Sequence, residues 1–156
     1  MTKAIFFDID GTLVSFETHE IPASTIEAIA AAHARGVRMF IATGRAPGFI
    51  NNLGGLQERG LIDGYVTMNG GYCYVGDEVI HKQVIPAAEV KAILDYCKAR
   101  RITCTVVDEH LICACYPSEL LRQVFVEYLH AKEVPGVTPA EALRLIPDVC
   151  QLSPFF

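Results

Sequence analysis

The apolar and polar positions of this chain fall into two stretches with different grammar. In the first, Lys3 to Asp8 is a short apolar run without helical spacing, which predicts a buried strand. A turn follows at Asp10-Gly11. Ser24 to Arg35 predicts a helix with Ile26 and Ile29 among its apolar positions; Ser24 and Glu27 have capping-box spacing, and Pro22 offers a slightly earlier start. Gly36 closes that helix as a C′ residue. Val37 to Ala42 is a second buried strand, leading into a Thr43-Gly44-Arg45 turn. A helix from about Gly48 to Arg59, weakened by Gly54 and Gly55, precedes a third strand, Gly64 to Met68, which ends in Asn69-Gly70-Gly71. Strands alternating with helices imply an α/β fold with a parallel sheet and right-handed crossovers.

After Gly71 the pattern changes. Tyr72 to Val75 and Glu78 to Val84 flank Gly76-Asp77 and predict a β-hairpin. Pro86 to Arg100 is a helix, with Val90, Ile93, Leu94 and Cys97 as its apolar stripe. Ile102 to Val107 and Leu111 to Tyr116 form a strand pair around Asp108-Glu109-His110, and Ser118 to His130 is again helical. This is α+β grammar, so the domain boundary is placed near Gly70-Gly71, with residues 1–70 and 71–156 on either side.

Composition narrows the class. Hydrophobic residues make up 51% of the chain and charged residues 20%, and the mean hydropathy is +0.30, which argues against long disordered stretches. The net charge is -5 and the 13 Lys and Arg are scattered, so no nucleic-acid footprint is present and nucleic acid is not expected as a partner. No apolar run is long enough to span a bilayer, and Ala4 to Phe7 is too short for a signal peptide, so the expected location is cytoplasmic, without a membrane partner. The 6 cysteines include no CxxC pair and read as small buried hydrophobes in a reducing compartment.

Candidate chemistry concentrates in Phe6-Phe7-Asp8-Ile9-Asp10-Gly11-Thr12. Two acids one residue apart, at the carboxyl end of a parallel strand, stand where open α/β sheets bind ligands. Close carboxylates need a cation or a proton between them, and a hard ion such as Mg²⁺ also grips a phosphate. At the end of the next strand, Thr43, Gly44 and Arg45 bring a hydroxyl and backbone N–H groups suited to phosphoryl oxygens.

FFDIDGTL and IATGR resemble the first two motifs of the haloacid dehalogenase superfamily. The resemblance implies a Rossmann-like core with an inserted α+β cap, and hydrolysis of a small phosphorylated metabolite. It maps Asp8 to the nucleophile and Asp10 to the general acid and base. Asp8 and the Asp10 backbone carbonyl would bind Mg²⁺. Thr43 would hydrogen-bond the phosphoryl group with the backbone of Ile9, Gly11 and Gly44, while Arg45 and Asn69 would lie near the substrate cleft. Room for only a short flap between Thr12 and Pro22, with the α+β unit after the third strand, resembles the Cof-type branch. Its members commonly act on sugar phosphates, and their cap residues select the leaving group.

Two further family motifs, a Lys and a Gly-Asp followed by another acid, are not found in these 156 residues. The expectation is therefore a truncated chain, with an incomplete core and cap and little phosphatase activity by itself. Without a strand on its far side, Lys3 to Asp8 should present an unpaired apolar edge open to self-association. The competing reading is a shortened relative that binds phosphorylated ligands with weak catalysis, or a protein completed by a partner. A receiver-type domain is excluded because the third strand ends without an Asp, and a dinucleotide-binding module because no GxGxxG follows the first strand.

Overall fold

The computed structural model describes residues 3–128 and 133–156, and the chain divides into two compact units, Met1–Lys82 and Gln83–Phe156. In the first unit, β1 (Lys3–Phe7), β2 (Val37–Ala42) and β3 (Gly64–Thr67) pair in parallel, with α1 (Ala23–His33) and a short α2 (Gly54–Glu58) in the crossovers. The hairpin β4 (Tyr72–Val75) and β5 (Glu78–Lys82) extends the same sheet antiparallel, giving the order β1-β2-β3-β4-β5. This moves the boundary from Gly70-Gly71 to Lys82-Gln83. The reason is register: Tyr65, Val66 and Thr67 face Tyr74, Cys73 and Tyr72 across a hydrogen-bonded ladder, and Tyr65 stacks on Tyr74 at 4.9 Å. A change of grammar from parallel to antiparallel does not by itself end a sheet.

Local expectations are met unevenly. Helix α1 begins after Pro22, whose carbonyl receives the N–H groups of Thr25 and Ile26, and no side chain caps it, so the Ser24–Glu27 box does not form. Gly36, at φ +81, turns the chain into β2. The helix expected over 48–59 is reduced to Gly54–Glu58 after a single tight turn at Pro47–Phe49, as the glycine pair foreshadows. Strand β1 lies at the sheet edge with Ile5 and Phe6 exposed, Phe6 stacking on Phe40 of β2 at 4.8 Å.

Below the sheet, Asp63 ties the entry of β3 to β2. Its Oδ2 accepts the Met39 N–H at 2.7 Å, Oδ1 meets Arg38 Nε at 2.5 Å, and its own N–H donates to the Met39 carbonyl at 2.7 Å. Asp63→Ala strands the Met39 N–H and is expected to cost about 1–3 kcal/mol, read as a lower midpoint in urea with an unchanged slope.

The second unit is α+β. A four-stranded sheet runs in the order β8-β7-β6-β9, built from β6 (Thr103–Val107), β7 (Ile112–Cys115), β8 (Gly136–Val137) and β9 (Gln151–Phe155). Every residue of β6 is buried, because β7 and β9 flank it and helices cover it. Helix α3 (Ala87–Arg100) packs through Val90, Leu94 and Cys97, and Ile93 stays at the rim of its stripe, 36% exposed. The helix expected over 118–130 appears as one α-turn, α4 (Glu119–Arg122), widening into a π-turn at Gln123–Tyr128, and its last two residues lie outside the described residues. Helix α5 (Pro139–Leu145) opens on a capping box between Thr138 and Glu141.

Cys97, Cys104, Cys113 and Cys115 are all fully buried in this core. Burial pushes the Cys104 thiol up to about 12 and those of Cys113 and Cys115 up to about 11, with neighbouring thiols adding to the shift. The Cys104, Cys113 and Cys115 thiols are therefore protonated and unreactive at neutral pH, as small hydrophobes should be. Folded thiols that hold their protons above the unfolded pKa contribute stability that is complete below about pH 8.5 and lost as pH rises through 11–12. Chemical denaturation of the chain should therefore show stability falling over that alkaline window, with alkylation of these cysteines appearing together with unfolding.

Candidate functional site

The three parallel strands end at the same edge of the sheet. Phe7 is level with Ile41, and Ala42 with Val66, so Asp8, Thr43 and the Thr67–Asn69 segment leave the sheet side by side, about 4.8 Å from one strand to the next. Asp8 follows the last residue of β1, is exposed, and has no side-chain hydrogen bond or ion pair among the described residues.

The chain then folds back on itself. Ile9 is wholly buried, and its carbonyl receives the N–H groups of Leu13 and Val14 at 3.1 and 2.9 Å. Gly11 donates to the Val14 carbonyl at 2.9 Å. The Gly11 N–H is thus engaged inside the turn. What the position requires is glycine itself, since φ is +76 and a Cβ would sit 2.4 Å from the Phe16 ring. The Asp10 carbonyl is not among the acceptors of this turn.

Thr43 is buried, and its hydroxyl accepts the Arg45 N–H at 3.2 Å, which leaves its own proton to donate. The next loop is tied to this one. Met68 N–H donates to the Arg45 carbonyl at 3.0 Å, and Asn69 N–H to the Thr43 carbonyl at 3.2 Å. Met68 and Asn69 both adopt left-handed backbone, at φ 51 and 55, which only such over-determination sustains. The Asn69 side chain lies against Gly44, where a Cβ would come within 3.1 Å of Oδ1.

Arg45 reaches from the end of β2 to the acid that follows β1. Its side chain is only 9% exposed and turns onto Asp10 as a bidentate pair, Nε to Oδ2 at 3.0 Å and Nη2 to Oδ1 at 2.6 Å. Nη1 points the other way, donating to the Phe49 carbonyl at 3.0 Å and approaching Asn51 and Asn52 Oδ1, each at 3.4 Å. Sequence reasoning missed these backing groups because it places Asn51-Asn52 inside a helix over 48–59, whereas the helix begins only at Gly54.

Among the described residues, no group of three or more His, Cys, Asp or Glu side chains could hold a metal ion. The Asp8 carboxylate and Asp10 carbonyl are nevertheless hard oxygen donors. They are of the type and small number that Mg²⁺ takes from protein while keeping waters and phosphate oxygens. No described helix is long and apolar enough to cross a membrane.

The comparisons with known proteins converge on one family. The profile of the haloacid dehalogenase-like hydrolases matches residues 5–133. The Bacillus subtilis (strain 168) protein named "Putative phosphatase YkrA" is 34% identical over 93 residues, 60% of this chain and 35% of that protein. The structure of the HAD subclass IIB sugar phosphatase BT4131 superposes with a TM-score of 0.93 at 55% identity, covering 99% of this chain and 59% of that one. A structure showing a trigonal-bipyramidal intermediate in a phosphoryl-transfer superfamily gives 0.92 at 54% identity, covering 100% of this chain and 59% of that one. The chain thus spans about three-fifths of the solved relatives' length.

Proposed function

The chain belongs to the haloacid dehalogenase-like hydrolases, and on that premise we propose that it carries the nucleophile, acid–base and phosphate-cradle part of a phosphatase for small phosphorylated metabolites, sugar phosphates foremost. The observation that supports this best is the contrast between two carboxylates at one strand end. Asp8 is exposed and unpaired, while Asp10 is held by Arg45. A nucleophile must be free to approach phosphorus, and an acid–base group must be fixed beside the leaving oxygen. The likeness to a sugar phosphatase over 99% of the chain points to the same substrate class.

In the first step an Asp8 oxygen bonds to phosphorus as the ester P–O bond breaks, and Asp10 gives its proton to the departing alkoxide. In the second, water bonds to phosphorus, the aspartyl P–O bond breaks, and Asp10 takes the proton from water. The Thr43 hydroxyl, with its proton unspent, donates to a phosphoryl oxygen through both steps. The Asp8 carboxylate and Asp10 carbonyl would hold a Mg²⁺ ion, which would supply charge neutralisation for the phosphoryl dianion.

The test is to trap the phosphoryl-enzyme. The protein at the length its source makes is mixed with a sugar phosphate and Mg²⁺, quenched in acid and digested. The peptide bearing Asp8 should gain one phosphoryl group that hydroxylamine removes. A phosphoryl group on any other residue, or phosphate release with none on Asp8, would refute the mechanism.

A further inference from the structure

The Arg45 guanidinium has two faces of engagement. One edge chelates both oxygens of Asp10, and the remaining nitrogen is pinned to the Phe49 carbonyl, with Asn51 and Asn52 behind it. Each of the three nitrogens thereby donates within the chain, and the side chain is 9% exposed. A cation recruited to bind substrate phosphate would present its fork to the cleft. This fork is already filled by a carboxylate. The Arg45 backbone adds a second constraint, because its N–H donates to Thr43 and its carbonyl receives Met68. One residue therefore links the carboxylate after β1 to the loops that follow β2 and β3.

We propose that Arg45 is a positioning residue for Asp10, not a ligand of the substrate. The proposal rests on the phosphatase reading above. The rigid pair fixes the Asp10 carboxylate in one orientation and so serves proton transfer to the leaving alkoxide and from the attacking water. It has no part in forming the Asp8–phosphorus bond itself. Asn51, Asn52 and the Phe49 carbonyl hold the guanidinium from behind.

p-Nitrophenyl phosphate separates these steps, because its leaving group departs without a proton whereas the aspartyl-phosphate still needs Asp10 to activate water. The protein at its native length is mixed rapidly with this substrate and Mg²⁺. In Arg45→Met the burst of p-nitrophenolate should keep its rate, its half-saturation and an amplitude of one per site. The steady-state rate should fall by about 10²-fold, the worth of a positioned acid–base group. The double variant Asn51→Ala/Asn52→Ala leaves the Arg45–Asp10 pair in place but loosens its support. It should slow the steady state by a few-fold with an unchanged burst, and it carries the test if Arg45→Met does not fold. A slowed burst with raised half-saturation in Arg45→Met would overturn the proposal, since that is the signature of a lost phosphate ligand. An undiminished steady state in either folded variant would overturn it too. Asp8→Asn run alongside identifies the deeper failure. A burst that survives in Asp8→Asn removes the phosphatase mechanism and the Arg45 role with it, whereas its loss confines any failure to Arg45.

Discussion

Asp8→Asn is expected to lower turnover of a phosphate monoester by about 10³-fold or more, because an amide cannot form the covalent intermediate. The same substitution should leave stability within about 0.5 kcal/mol of the parent chain. The reason is structural. Asp8 stands past the end of β1, exposed, and its carboxylate pairs with nothing among the described residues. Phosphate release measured beside a denaturation curve separates the two effects. A variant that loses activity through unfolding, or one that retains turnover, contradicts the assignment of Asp8 as nucleophile.

Asp10→Ala should behave in the opposite way on stability. Its carboxylate neutralises a guanidinium that is only 9% exposed, and removing it leaves that charge half-dressed by the Phe49 carbonyl and two asparagines. Breaking a fully buried pair from one side costs about 3–5 kcal/mol. Asp10 itself is 34% exposed, and water reaching the vacated fork reduces the expected cost to about 2 kcal/mol. Turnover of an alkyl phosphate should fall by about 10²–10⁴-fold as the proton donor disappears. Two carboxylates two residues apart thus give one variant that is inactive and stable and another that is inactive and weakened. Equal melting behaviour of the two would show that the Arg45 clamp contributes nothing to the fold.

Much of this site can be read in the sequence because the determinants are local. Asp8, Asp10, Thr43, Gly44 and Arg45 lie within two short segments, each at the end of an apolar run, and parallel strands bring such ends to one edge. The partners are not local. Nothing in a Thr-Gly-Arg triplet says that its guanidinium will reach back 35 residues to Asp10 rather than outward to a ligand. Likewise Asp63 reads as one acid before a glycine, and its bond to Met39 N–H, 24 residues away, exists only once β2 and β3 are paired.

The family, the α/β order of the first three strands and the strand ends that carry the candidate site are legible in the order of residues alone. Those depend on runs of residue type and on turn chemistry, which act over a few positions. The tertiary structure decided that the hairpin Tyr72–Lys82 completes the first sheet, that Arg45 faces Asp10, and that the Gly11 N–H is consumed within its own turn. Each of these is a choice among hydrogen-bond partners of nearly equal local merit. Such choices are settled by which groups packing brings within about 3 Å of one another, and by the cost of leaving any of them buried and unpaired.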